Sequence, residues 1–133
     1  MSTNPYKTYE NMNKESMSPR ELEAYVLTKA GVMLKRCQEN WSAADRDAKL
    51  LEAIKYNQTV WSLFQGELTR SDHPMPLQLR EDILNLSLFI DKSCIEAMEY
   101  PEVEKLTPII DINLNLAAGL RAKPEESVYE QAV

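Results

Sequence analysis

The sequence predicts an all-α fold, a small bundle of about four helices with mobile N- and C-terminal segments. Three observations carry this expectation. Glycine occurs only three times in 133 residues, too few for the turns of a strand-rich protein. Apolar residues recur at steps of three and four in four separate stretches, the rhythm of helices with one face in a core. Prolines punctuate those stretches at Pro19, Pro76, Pro101 and Pro108, where a helix starts or stops.

The length fits one domain. The expected division is an extended or mobile segment over 1–17, a helical domain over 18–121 and a disordered tail over 122–133. Residues 1–17 have no helical apolar period, although Tyr6 and Tyr9 are candidates to dock on the body. The N-terminus is polar and lacks the apolar core of a secretory signal. No apolar run approaches the roughly 20 residues of a membrane span, so membrane insertion is not expected.

The first helix is expected to open at Ser18-Pro19-Arg20-Glu21. Ser18 accepts from exposed backbone donors, Pro19 suits the first turn and Glu21 completes a capping box. Leu22, Val26, Ala30, Met33 and Cys37 then share a face, widened by Tyr25, Leu27, Val32 and Leu34. The helix is expected to end between Gln38 and Asn40. Trp41 follows at the boundary, with part of its ring exposed.

Ser42 and Asp45 open the second helix, expected to reach about Arg70. Its stripe is the cleanest in the chain: Leu50, Ile54, Asn57, Trp61, Phe64 and Leu68, the spacing of helix-on-helix packing. Trp61 and Phe64 are core candidates. Asn57 is a polar residue on a buried seam, where an unpaired amide costs a few kcal/mol. It either fixes register or contacts a loop or a bound partner helix.

After a loop carrying His73, read as a surface histidine, Pro76 starts the third helix. One stripe holds Leu79, Ile83, Leu86, Ile90, Cys94 and Ala97. A second, rotated by about a third of a turn, holds Leu77, Leu84, Leu88 and Ile95. A helix apolar on two sides lies between neighbours or offers one side to a partner. Leu77, Arg80, Leu84, Leu88, Ile95 and Trp41 are therefore the candidate partner-binding residues. Arg80 is a solvated arginine, or one that pairs with a carboxylate or clamps a partner.

Tyr100-Pro101 breaks the chain, and a helical turn is expected before Leu106. The fourth helix is expected to be capped by Thr107, with Pro108 in its first turn. Its face holds Ile109, Ile112, Leu116 and Leu120, with Ile110 and Ala117 beside it, and Gly119 is its expected stop.

The composition disfavours several function classes. A single histidine and two cysteines, Cys37 and Cys94, without CxxC spacing disfavour a zinc site. The cysteines read as buried thiols. No phosphate-binding glycine loop occurs, and His73 lacks a nucleophile-elbow context. Glu125 and Glu126 read as solvated charge in the tail. Neither an enzyme nor a cofactor is expected. The net charge of −6, with 15 basic residues scattered among 21 acidic ones, disfavours direct nucleic-acid binding.

Several short motifs, taken in order, are similar to one known family. They are Tyr6 and Tyr9, Pro19-Arg20-Glu21 with LEAYVLTKAGVMLKRC, Tyr56-Asn57 with Trp61, and Leu77 to Ile83, which resembles an LPxxLRxxI run. Leu86-Ser87-Leu88, Ile110-Asp111-Ile112-Asn113 and Gly119-Leu120 complete them. The chain resembles the FlaF family of alphaproteobacterial flagellar biosynthesis regulators over residues 5 to 121. It departs where the family often has Trp, at Tyr56 and Phe89, and where Leu114 replaces a common Arg. The resemblance implies a cytoplasmic flagellin export or assembly factor, with flagellin and a FlbT-type regulator as partners. It also implies an influence on flagellin synthesis. The alternatives are a post-transcriptional regulator of flagellin mRNA and a structural module that forms a homodimer.

Overall fold

A computed structural model describes residues 17–122. Four helices cover most of them: α1 (Pro19–Glu39), α2 (Arg46–Leu68), α3 (Leu77–Glu99) and α4 (Leu106–Ala122). A 3₁₀ turn at Val103–Lys105 leads into α4, and no strand occurs among the described residues. The expectations for Tyr6, Tyr9 and the segments 1–16 and 123–133 lie outside the described residues.

The expected start of α1 is present in full. The Glu21 amide donates to Ser18 Oγ at 3.1 Å, and the Ser18 amide donates to Glu21 Oε1 at 2.9 Å. The bond from the Ser18 amide holds the Glu21 carboxyl below its ordinary range. At the other end the Asn40 backbone N–H and Nδ2 both donate to the Arg36 carbonyl, at 3.0 and 2.9 Å, and close the last turn.

Helix α2 starts after Asp45, which makes no side-chain cap bond, and stops at Leu68, two residues before the expected Arg70. The loop then closes on His73, whose Nδ1 accepts from the Met75 amide at 3.1 Å. Helix α4 begins at Leu106 rather than behind a Thr107 cap. The Thr107 hydroxyl serves another purpose: Gln38 Nε2 donates to Thr107 Oγ1 and to the Val103 carbonyl, both at 2.9 Å. Gly119 does not stop α4, which continues in helical geometry to Ala122.

Helix α1 packs most extensively on α4, then on α2, and α2 packs on α3. Helix α3 touches α4 over a much smaller area. It is therefore an outer helix, not one lying between neighbours. The antiparallel α1–α4 pair is tied at both ends, by the Gln38 bonds and by Arg121 Nη2 donating to the Ala24 carbonyl at 3.3 Å. Between them Gly31 allows close approach, since an added Cβ would stand 3.0 Å from Leu114 Cδ2.

All six residues of the predicted α2 stripe are buried, Asn57 included. Two other helices are phased differently from expectation. In α1 the fully buried side chains are Ala24, Leu27, Ala30 and Leu34, while Val26 and Met33 are only half-buried. Small residues lie where α4 comes close, and this turns the face. In α4 the buried set centres on Asn113, with Ile112 and Leu116 half-buried. A hydrogen-bond network explains that shift.

The network joins three helices. Trp61 Nε1 donates to Asn113 Oδ1 at 2.9 Å, Asn113 Nδ2 donates to Asn57 Oδ1 at 2.6 Å, and Asn57 Nδ2 donates to Cys94 Sγ at 3.3 Å. Trp61, Asn57, Asn113 and Cys94 are all fully buried. Paired amides in a dry core fix helix rotation, because any other register leaves a buried polar group unbonded. Asn57 thus finds its hydrogen-bond partners on α3 and α4 rather than on a loop. Both cysteines are buried free thiols, and burial pushes their thiol pKa values up.

Candidate interaction face

Helix α3 meets the bundle through Ile83, Ser87, Ile90, Cys94 and Ala97. The expected stripe placed Leu86 in this row, but Leu86 is 39% exposed and its neighbour Ser87 is buried. Ser87 satisfies its hydroxyl by donating to the Leu84 carbonyl at 2.6 Å, so its small side chain enters the contact without an orphaned polar group. Leu79 is half-buried against the core. Two further bonds fix α3, one on α2 and one on the loop between them. Gln65 Nε2 donates to Asp91 Oδ2 at 3.0 Å, and Arg80 Nη1 donates to the Arg70 carbonyl at 2.9 Å. Arg80 thus anchors the α2–α3 connection rather than pairing with a carboxylate.

With α3 held this way, much of its remaining circumference is apolar. Leu77 is 62% exposed, Leu88 65% and Ile95 48%, while Phe89 and Met98 are also exposed. Leu84, from the same predicted stripe, is half-buried against the core. At about 100° per residue, Leu77, Glu81, Leu84, Leu88, Asp91, Ile95 and Met98 follow one another at steps of 4, 3, 4, 3, 4 and 3. That is a coiled-coil seam. It runs about 32 Å along the helix at 1.5 Å per residue. Met98, Glu81 and Asp91 were missing from the sequence-based stripe, although the same steps place Glu81 between Leu77 and Leu84, Asp91 between Leu88 and Ile95, and Met98 one step beyond Ile95.

The other candidate positions lie elsewhere. Trp41 belongs to the α1–α2 connection, half-buried, with the Arg46 guanidinium 4.4 Å above its ring. Pro19 occupies the first turn of α1. Arg20 is buried there, and Asp111 is exposed on α4. Trp61 and Phe64 lie in the core with ring centroids 5.8 Å apart. Lys29, also buried, holds its ammonium 4.4 Å from the centroid of the Tyr56 ring.

Among the described residues no group of acidic, histidine or cysteine side chains could hold a metal ion. No described helix is long and apolar enough to cross a membrane. The family model for flagellar protein FlaF matches residues 5–120. The chain belongs to the FlaF family. The match takes in all of α1, α2 and α3 and nearly all of α4, so the α3 seam and the buried amide network both lie inside it. No curated protein and no solved structure matches the chain.

Proposed function

We propose that this FlaF-family protein acts in flagellum biogenesis by binding rather than catalysis. It serves as a cytoplasmic secretion chaperone or adaptor that covers an amphipathic helix of flagellin, in concert with a FlbT-type regulator. Its influence on flagellin synthesis is a consequence of that binding. The observation that carries the reading is the exposed α3 seam, with Leu77, Leu88 and Ile95 about half or more open to solvent on a helix anchored along its other side. An amphipathic helix laid in a groove uses anchors at this spacing.

The energetics favour a reversible complex. Covering the exposed parts of Leu77, Leu88, Ile95 and Met98 is worth about 5 kcal/mol, and the matching face of a partner helix contributes a similar amount. Association costs about 4–15 kcal/mol, so the net affinity is modest. A carrier that must release its cargo needs such a balance.

The test is to mix the purified protein with flagellin, with and without the FlbT-type regulator, and measure complex formation by gel filtration and calorimetry. A complex that Leu88→Asp weakens at least about tenfold supports the reading. Absence of a complex under both conditions overturns it.

A further inference from the structure

The α3 seam is not uniformly apolar. Its seven positions include Glu81 and Asp91, separated by Leu84 and Leu88 at steps of 3, 4 and 3. Glu81 is exposed. Asp91 is half-buried, with Oδ2 accepting from Gln65. Helix α3 as a whole carries five carboxylates (Glu81, Asp82, Asp91, Glu96, Glu99) against Arg80 and Lys92, and Arg80 is engaged with the Arg70 carbonyl.

These two charges decide between occupants. A second copy fits poorly. Consider the antiparallel pairing that sets Leu84 against Leu88 of the copy and Leu77 against its Ile95. Positions 81 and 91 then also meet, so that Glu81 lands against Asp91 twice. A parallel in-register pairing stacks each carboxylate on itself. Like charges in a seam are costly and select against self-association. A helix with cations at those layers turns both repulsions into ion pairs shielded by the flanking leucines.

We infer that the occupant of the α3 seam is a cationic amphipathic helix with the pattern cation-x-x-apolar-x-x-x-apolar-x-x-cation. Lys or Arg at its two ends meets Glu81 and Asp91, and its central apolar pair packs on Leu84 and Leu88. The steps 3, 4, 3 read the same in both directions, so the pattern holds for either orientation of the partner. This inference rests on the reading of α3 as the docking face and adds the partner's charge.

The test uses the full chain and three synthetic helices that share one apolar face and carry Lys, Gln or Glu at the two end positions. Binding is followed by fluorescence anisotropy across a salt series. The Lys helix is expected to bind about tenfold more tightly than the Gln helix at low salt, from two partly shielded pairs. The advantage should shrink as salt rises, and the Glu helix should bind most weakly. Glu81→Lys should remove most of the preference for the Lys helix and, by pairing with Asp91 of a second copy, promote self-association in sedimentation. Equal affinities for the three helices, an unchanged preference in Glu81→Lys, or a wild-type dimer that Leu88→Asp dissolves would each overturn the inference. Flagellin binding that is lost in Leu88→Asp but indifferent to Glu81→Lys also overturns it, while leaving α3 as the docking face. If flagellin and all three helices fail to bind, the docking face itself falls.

Discussion

Replacing Asn113 with alanine strands two polar groups at once. The Trp61 indole N–H loses its acceptor at 2.9 Å, and Asn57 Oδ1 loses the donor at 2.6 Å. Both partners are fully buried, so water does not replace the lost bonds without opening the core. Each orphaned group costs about 1–3 kcal/mol, and the vacated amide volume adds a cavity cost. The total is about 4 kcal/mol, a large part of the about 5–15 kcal/mol that holds a domain together. Asn57→Ala strands Asn113 Nδ2 and frees Cys94 Sγ, a weak acceptor, and should cost about 2–3 kcal/mol. The double variant should cost less than the sum, with a coupling of about 1–2 kcal/mol, because the Asn57–Asn113 bond is lost in either single variant. Urea titrations followed by helical circular dichroism and tryptophan fluorescence measure all three. A cost under about 1 kcal/mol for Asn113→Ala, or additive single effects, would refute the argument that this network fixes the register of α2 and α4.

Other outcomes follow from particular contacts. Ser18→Ala removes half of the capping box and should lower stability by about 1 kcal/mol in thermal unfolding, with the loss confined to α1 in hydrogen exchange. Gly66→Ala meets open space on α2 and should stabilise by about 0.5–1 kcal/mol, whereas Gly31→Val drives into Leu114 and should cost about 1–3 kcal/mol. For His73, burial first and then the Arg80 charge push the imidazole pKa below its ordinary 6.5. The unfolded chain therefore binds the proton more readily, and His73 stabilises fully above pH 6.5, an effect lost as pH falls below that value toward its lowered folded pKa. Protonation also removes the acceptor for the Met75 amide. The stability of His73→Gln should fall less than that of the wild type as the medium is acidified, and parallel curves would refute the assignment.

The helices themselves were legible because their signals are local. The Ser18 capping box and the 4-3 steps from Leu50 to Leu68 need no knowledge of distant residues, and the α2 stripe is buried as the spacing requires. What was not legible is which face of α1, α3 and α4 turns inward. Apolarity favoured Leu86 over Ser87 and Ile112 over Asn113, yet the polar residues are the buried ones. Ser87 is admitted because a small side chain suits a close helix contact and can bond its own backbone. Asn113 is admitted because its partners stand 52 and 56 residues earlier, a pairing that periodicity does not encode. The exposed seam is the converse case. Leu77 and Leu88 were picked out by their spacing, but their exposure follows from α3 lying at the edge of the bundle.

The most extensive helix contact joins α1 to α4, the first and last described helices. Synthesis releases α1 first and α4 last of the four, so these two principal partners meet only at the end. When α1 leaves the ribosome, its principal neighbour has yet to be translated, and the buried face around Leu27 and Leu34 must wait for α2, α3 and the 3₁₀ turn to follow. Closing such a long loop is the slow, entropically opposed step of folding. A nascent chain halted before Leu106 holds α1, α2 and α3, with the Asn57 amide oxygen and the Trp61 indole N–H unmatched and α1 half covered. The register-setting bonds to Asn113 form only when α4 arrives.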